Sequence, residues 1–493
     1  MGMILKEFLS VLTEYQADGP LDRFILDVTD DSRKSGRDCL FVCLTGERSD
    51  GYDYIDEACR RGAVALLVDR PLARTPQGVT IITVPQTRVA MQKLIPYFYG
   101  YPAREMKMCG ITGTNGKTTA SYMLRSIIEA WGKKSGVIGT LGVVAGNERF
   151  SALNTTPDVP LLQALLRDMR EKNTEYVIME VSSHALALDR VAGCEFDLAV
   201  MTNVTQDHLD FHKTFEAYLE AKTKLFSSLP TEGYKAGRGV VNADDPNAPA
   251  FLRAARVPVL TYGQSSDCDV YPNQQRVYFN GMELLLVTPA GELALTLKTT
   301  GHFNVYNTMA AVASALSLGA PLSSIKRGLD GFKGVPGRFE LVEAGQPFTV
   351  IVDYAHTPDG LDNLLRSVRQ ITQGRLITIF GCGGNRDKGK RPLMGEIAVR
   401  LSDLVCVTSD NPRKELPEDI INDIISGIGQ TGNYIRVADR AAAIHTALSE
   451  AKDGDSVVIA GKGHETYQIL ADETIDFDDK LVASSFLREK FLC

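Results

Sequence analysis

The chain has 493 residues, 44% of them hydrophobic and 23% charged, with a net charge of −8. That length makes roughly two to four domains with cores of their own, and the acidic balance argues against a broad nucleic-acid surface, which needs basic stripes. No apolar run approaches the ~18 residues of a membrane helix, no secretory signal is visible, and nine scattered cysteines without a CxxC pair fit reduced cytosolic thiols.

In chain order, residues 1–104 carry apolar runs such as Cys39-Leu-Phe-Val-Cys-Leu44 and Ala63-Val-Ala-Leu-Leu-Val68, and end near Pro102. Residues 105–335 open on a short apolar run from Met106 to Ile111 that leads into Gly110-Ile-Thr-Gly-Thr-Asn-Gly-Lys-Thr-Thr119. A helical pattern follows, with Met123, Leu124, Ile127 and Ile128 on one face. Gly113 and Gly116 let backbone N–H groups close around phosphate oxygens at the positive end of that helix. Lys117 is placed to neutralise the β and γ phosphates, and the Thr118 hydroxyl to reach Mg²⁺. The loop is a variant, because the strict G-x-x-x-x-G-K-[ST] spacing puts glycine where Ile111 stands.

Further apolar runs each end in a polar cluster. Tyr176-Val-Ile-Met179 runs into Glu180-Val-Ser-Ser-His184, and Leu198-Ala-Val-Met201 into Thr202-Asn-Val-Thr-Gln-Asp-His208. The glycine- and proline-rich stretch Gly331-Phe-Lys-Gly-Val-Pro-Gly337 reads as a linker. Residues 336–493 resume the alternation: Val350-Ile-Val352 precedes Asp353-Tyr-Ala-His356, and Leu376-Ile-Thr-Ile-Phe380 precedes a glycine turn and Arg386. Leu404-Val-Cys-Val407 precedes Asp410-Asn-Pro-Arg413, and Val457-Val-Ile-Ala460 precedes Gly461-Lys-Gly-His-Glu465. Continuous apolar runs between helical segments predict an α/β protein with parallel, doubly covered sheets. Ligands in such sheets bind beyond the carboxyl ends of the strands, where these clusters fall.

These residues carry a resemblance. The loop Thr112–Thr119, Glu180-Val-Ser-Ser-His184, Asp207-His-Leu-Asp210, Asn304-Val-Tyr-Asn307 and Asp353-Tyr-Ala-His356 resemble the Mur ligases, the ATP-dependent amide ligases of peptidoglycan synthesis. Asp31-Ser-Arg33, Asn154-Thr-Thr-Pro157 and Gly381-Cys-Gly-Gly-Asn-Arg-Asp-Lys-Gly-Lys-Arg391 resemble its MurE-type branch, which adds the third amino acid of the stem peptide. The resemblance implies three domains: 1–104 binding the UDP substrate, 105–335 with a P-loop ATPase-like parallel sheet, and 336–493 Rossmann-like and binding the amino acid. It implies a bacterial, cytoplasmic, monomeric enzyme that binds small molecules, without nucleic acid or membrane insertion.

The implied chemistry has two steps. ATP phosphorylates a substrate carboxylate, and the amine of the incoming amino acid attacks the acyl phosphate. Such transfer needs positioning and charge neutralisation more than covalent help. By the resemblance, Lys117, Glu180, His208 and Lys222 are catalytic, and Thr118, Glu180, His208 and Lys222 hold Mg²⁺. Lys222, in Tyr218-Leu-Glu-Ala-Lys-Thr-Lys-Leu-Phe226, matches the family position that CO₂ carbamylates, whereas Lys224 does not. On composition alone Lys222 would be one more solvated helix lysine, and His208 a satisfied loop histidine.

ATP falls to Gly113, Thr114, Asn115, Gly116, Lys117, Thr118 and Thr119, with Asn304, Asn307, Arg338 and His356 around the adenosine. The UDP substrate falls to Asp30, Ser32, Glu47, Arg48 and Ser49, and its peptide to Asn154, Thr155, Thr156, Ser182 and Arg190. Specificity rests on Asp410, Asn411, Pro412 and Arg413, with Arg386, Gly461 and Glu465. Diaminopimelate resembles lysine with a distal carboxylate, which a guanidinium pairs bidentately; members carrying this tetrapeptide use meso-diaminopimelate, and lysine-adding members lack its arginine. The same four residues also favour a β-turn, which would present Arg413. A folylpolyglutamate-synthase-like ligase shares the loop but not Asp31-Ser-Arg33 or Asp410-Asn-Pro-Arg413. A GTP-binding module would need an Asn-Lys-x-Asp motif, which is absent.

Overall fold

The computed structural model describes residues 2–46, 49–146, 148–150, 154–233, 235–429 and 433–491. It divides into two compact units: Met1–Gly110, Lys134–Asp197 and Ser228–Gly237 form the first; Ile111–Lys133, Leu198–Ser227 and Arg238–Cys493 form the second. The chain passes from one to the other within strand Lys107–Thr112. Among the described residues no helix is long and apolar enough to cross a membrane.

In the first unit a five-stranded sheet runs Gln16–Asp18, Thr80–Thr83, Ala63–Val68, Cys39–Val42, Asp27–Thr29. Its last four strands are parallel and the first is an antiparallel edge. Cys39 and Cys43 are core residues, as their apolar run predicts. Helix Thr87–Phe98 buries Met91, Leu94, Ile95 and Phe98 against Leu5, Phe8, Leu40 and Leu67, with the Phe8 and Phe98 rings 5.4 Å apart. The same unit holds the parallel pair Ser135–Gly139 and Tyr176–Glu180, both wholly buried.

In the second unit, Leu198–Met201, Arg238–Asn242 and Val259–Tyr262 are parallel. Helix Lys117–Ala130 buries Met123, Leu124, Ile127 and Ile128, the face its spacing predicts. Gly328, on helix Leu322–Asp330, meets this helix backbone to backbone. A Cβ there would lie 2.5 Å from Ile127 Cα, and Ser126 Oγ donates to the Gly328 carbonyl at 2.7 Å. An antiparallel meander, Tyr271–Tyr278, Gly281–Thr288 and Gly291–Leu297, interrupts the predicted strand–helix alternation. Its outer strands are largely solvated, so they lack the continuous apolar runs that mark the parallel strands.

The second unit's other sheet runs Glu340–Leu341, Thr349–Asp353, Ser456–Ala460, Leu376–Phe380, Leu404–Val407, Tyr434–Arg436, parallel except for the first. Alternate residues of one strand enter two cores. Ile351 and Val458 pack with Leu361, Leu365, Met394 and Ile420, whereas Val350, Val352 and Val457 pack with Ile444, Leu448 and Leu487. Cover on both faces is why these strands read as unbroken apolar runs.

A fully buried ion pair closes this sheet's carboxyl end. Arg440 donates to both Asp479 oxygens at 2.7 Å, to the Ser409 carbonyl at 3.2 Å and to the Ala460 carbonyl at 3.0 Å. Removing one partner of such a pair leaves an uncompensated charge. Asp479→Ala is therefore expected to destabilise the fold by about 3–5 kcal/mol, read as a lowered urea midpoint; an unchanged midpoint would show that Arg440 reaches solvent.

Candidate active site

In the second unit, strand Lys107–Thr112 ends at Gly113 (φ +149°), and Gly116 (φ +84°) precedes helix Lys117–Ala130. Gly116 also lies so close to the Asn307 amide oxygen that a Cβ would overlap it. Asn307 donates to Asn304 Oδ1 at 2.9 Å, and Asn304 Nδ2 donates to the Thr300 carbonyl at 2.8 Å, so both asparagines stand beside the loop. The loop is fixed from its other side: Asn203 Oδ1 accepts the Asn115 N–H at 2.9 Å and Thr202 Oγ1 donates to the Asn115 carbonyl at 2.6 Å. Asn115 in turn donates to Asp359 at 2.8 Å.

Two lysines converge on one carbonyl. Lys117 and Lys222 each donate to the Gly113 oxygen at 2.8 Å. Lys222 is only 2% exposed, with its Nζ 4.6 Å from the centre of the Tyr218 ring. Burial, reinforced by the charge of Lys117, holds its ammonium well below its ordinary pKa. Lys224 on the same helix is exposed. His208, at φ +54°, stands 3.3 Å from Asp207; burial is the main cause that lowers its pKa to about 4. Arg338 donates to Thr118 Oγ1 at 3.3 Å and stacks 4.4 Å over Tyr354. The Tyr354 carbonyl meets His356 Nδ1 at 2.9 Å, and Lys390 donates to the His356 carbonyl at 2.8 Å.

The amino-acid candidates gather beyond the carboxyl ends of Leu404–Val407 and Ser456–Ala460. Asp410 and Asn411 are buried. Asn411 donates to Glu465 at 2.8 Å, and the buried Lys462 pairs with the same carboxylate at 2.9 Å. A Cβ on Gly461 would lie 2.8 Å from Asp410 Oδ2, which explains a glycine there. The Pro412 carbonyl accepts the Glu415 N–H at 3.1 Å, so the turn falls on 412–415 and not on the four residues 410–413 expected to form it, because the Arg413 N–H is taken by the Ile469 carbonyl at 3.1 Å. Arg413 takes φ +53° and donates to the Gly384 carbonyl at 3.0 Å. Burial first, then the positive charge of Arg386, lowers the Arg413 pKa; a Cβ on Gly383 would meet Arg413 Nη1 at 2.9 Å and Arg386 Cγ at 3.8 Å, so the two side chains flank that glycine.

In the first unit, Glu180 ends strand Tyr176–Glu180 and is wholly buried. Its two oxygens accept the Thr140 N–H and hydroxyl, each at 3.0 Å. Thr155 Oγ1 lies 3.3 Å from the Thr140 hydroxyl, and Thr156 donates to the Glu180 carbonyl at 2.9 Å. Ser182 caps helix Ser183–Ala187 and its N–H donates to Thr156 at 3.0 Å. Arg190 donates to the Thr156 carbonyl at 3.3 Å and pairs with Asp158 at 2.8 Å. Asn154 is exposed at the start of this segment. Elsewhere in the unit, Asp30 has its pKa raised by burial, and Ser32 donates to Glu57 at 2.7 Å. Ser49 accepts the Gly46 N–H through its carbonyl at 2.9 Å. Glu47 and Arg48 lie outside the described residues.

Thr140, Glu57, Asp359 and Lys462 support these candidates and escaped the sequence reading. Thr140 and Glu57 carry no distinguishing pattern. Lys462 and Asp359 lie inside or beside quoted motifs, so their position was the one available signal.

Three family models match in succession: "Mur ligase family, catalytic domain" over residues 26–99, "Mur ligase middle domain" over 111–315, and "Mur ligase, glutamate ligase domain" over 337–463. A UDP-N-acetylmuramoyl-L-alanyl-D-glutamate–2,6-diaminopimelate ligase of Geobacillus thermodenitrificans is 45% identical over 464 residues, 93% of this chain and 94% of that one. The Syntrophomonas wolfei protein of that name is 43% identical over 490 residues, 99% of this chain and 100% of that one. A solved structure titled with the same name superposes with a TM-score of 0.69 at 31% identity, covering 99% of both chains.

Lys117→Ala is expected to abolish nucleotide-dependent phosphate release, because the phosphate charge loses its fixed cation in a water-poor site. A phosphate-release assay retaining near-wild-type turnover would remove Lys117 from the nucleotide site.

Proposed function

The chain belongs to the Mur ligase family, with its three-domain α/β architecture, and from that membership we propose that it joins meso-diaminopimelate to UDP-MurNAc-L-Ala-D-Glu, converting ATP to ADP and phosphate. The observation that carries the amino-acid part is that Arg386 and Arg413 flank Gly383, with Asp410 and Glu465 acting on the charge of Arg413. Two guanidiniums suit carboxylates, and the acidic side chains suit ammonium groups, as a molecule with two of each requires.

The division of labour follows chain order: 1–104 hold the UDP moiety, 105–335 the ATP, and 336–493 the incoming amino acid. Gly113 to Thr119 wrap the phosphates with backbone N–H groups. Lys117 supplies the fixed cation, and Asn304, Asn307, Arg338 and His356 flank the nucleotide. Asp30, Ser32, Glu47, Arg48 and Ser49 take the UDP-sugar; Asn154, Thr155, Thr156, Ser182 and Arg190 take the nascent peptide. The substrate carboxylate attacks the γ-phosphoryl group, and the diaminopimelate amine then displaces phosphate from the acyl phosphate. Arg413, Arg386, Asp410, Asn411, Pro412, Gly461 and Glu465 orient that amine's owner. The reading is of a cytoplasmic, monomeric bacterial enzyme.

Mg²⁺ suits the residue types present: Thr118 offers a hydroxyl, Glu180 a buried carboxylate, His208 a neutral imidazole, and Lys222 a carbamate once modified. When bound, the metal would spread the charge that develops on the transferring phosphoryl group. Carbamate formation needs the free amine, and burial shifts Lys222 toward that form. Lys222→Ala is expected to inactivate the enzyme, with acetate or formate restoring part of the rate, while Lys224→Ala leaves turnover intact. Equal tolerance of both substitutions in the same assay would make Lys222 a structural lysine.

Phosphate release on UDP-MurNAc-dipeptide, comparing meso-diaminopimelate with L-lysine, tests the whole reading; preference for L-lysine would overturn its specificity. Arg413→Ala should cost about 3–5 kcal/mol of interaction with the distal carboxylate, or on the order of 10²–10³ in kcat/KM for diaminopimelate. L-lysine use should fall much less, and ATP use hardly at all. A fixed ratio between the two amino acids would place specificity elsewhere.

A further inference from the structure

The two arginines that face the amino-acid site sit on different loops, and two like charges brought together tend to part. Arg386 is exposed and Arg413 half-buried, and each follows or occupies an unusual backbone conformation: Asn385 has φ +52° and Arg413 φ +53°. Non-glycine residues hold that region only where their surroundings enforce it. One carboxylate links the two loops. Glu415, two residues beyond Arg413, accepts the backbone N–H of Asn385, the residue immediately before Arg386. The Lys414 N–H donates to Asn385 Oδ1 at 3.1 Å, and Gly384 N–H to the Asn411 carbonyl at 2.9 Å, so the loops are zipped at three points.

Glu415 is itself clamped. Arg391, with a wholly buried side chain, grips both of its oxygens at 3.0 Å in a bidentate pair. The same guanidinium donates to the Gly383 carbonyl at 3.3 Å and to Asp423 at 2.8 Å. The hydrogen bonds from Arg391 hold the Glu415 carboxyl down at about 2, so it stays ionised at any working pH. Lys388, largely exposed and 3.2 Å away, adds little.

We propose that Glu415, clamped by Arg391, is a positioning residue that sets the spacing of Arg386 and Arg413 and thereby the preference for an amino acid with two carboxylates. The inference rests on the diaminopimelate reading above. Glu415 touches no substrate; it acts through the two guanidiniums. A misplacement of about 1 Å at such contacts costs on the order of 10²-fold.

Steady-state kinetics of wild type, Glu415→Gln, Glu415→Asp, Arg413→Ala and the Glu415→Gln/Arg413→Ala double variant test it, with thermal midpoints measured alongside. Glu415→Gln should raise KM for meso-diaminopimelate on the order of 10²-fold, with KM for ATP and for UDP-MurNAc-dipeptide held within about twofold. Glu415→Asp, which keeps the charge, should fall between Glu415→Gln and wild type. The double variant should lose little more than Arg413→Ala alone, since coupled residues do not add. If Glu415→Gln does not fold, Arg391→Lys carries the same comparison, keeping the charge but losing the bidentate grip. An unchanged KM for meso-diaminopimelate, a parallel rise for all three substrates, or additive losses in the double variant overturns the inference alone. A wild-type protein that ignores meso-diaminopimelate overturns the functional reading and the inference with it.

Discussion

A parallel sheet covered on both faces leaves polar chemistry one exit, the carboxyl ends of its strands. Many candidate residues of both units obey that constraint, while Lys222, Asn304 and Asn307 come from helices Phe215–Ser227 and His302–Ser317. Asp30 follows Asp27–Thr29, Glu180 ends Tyr176–Glu180, and Gly113 follows Lys107–Thr112. Asp410 and Gly461 stand beyond Leu404–Val407 and Ser456–Ala460. Interior strand residues cannot change without disturbing one core or the other, whereas residues past the strand end are free to carry chemistry. The double covering seen for Val350, Ile351 and Val352 thus decides where function can reside.

A second theme is the crowding of positive charge around backbone oxygen. Lys117 and Lys222 share the Gly113 carbonyl, and Arg386 raises the cost of charging its neighbour Arg413. In a protein whose net charge is −8, such clusters are local exceptions. Clusters of this kind suit anions, and on the function proposed above these would be phosphates in the first case and carboxylates in the second. Each cluster is held by neutral acceptors or remote carboxylates, so its charge remains directed at what binds.

Much of this was legible because a few residue types have few uses. Glycines at 113 and 116 before Lys117 announce a phosphate loop, and the loop and helix boundaries follow from them. Unbroken apolar runs announce parallel strands, and the positions after them announce candidates. In the meander Tyr271–Leu297 the two outer strands lack such a run, and the run Leu284–Val287 of the central strand leads into no polar cluster, so nothing in the sequence marks three paired strands there. Supporting residues were invisible for another reason. Asp359 meets Asn115 across 244 positions, and Thr140 meets Glu180 across 40, with ordinary residue types at both ends. Pairings of that kind are set by the fold and leave no local signature.

The Arg440–Asp479 pair also imposes an order on synthesis. Arg440 emerges from the ribosome 39 residues ahead of its only carboxylate partner in this pair. Until Asp479 follows, the guanidinium meant for the interior has carbonyls to bind but lacks the carboxylate hydrogen-bonded to it, and burying it is less favourable. The segments anchored at Ser409 and Ala460 are therefore fully held only once Asp479 is in place. The candidates beyond those strand ends thus depend on a charge supplied by helix Asp479–Phe491, so a change at Asp479 would loosen them without touching any candidate itself.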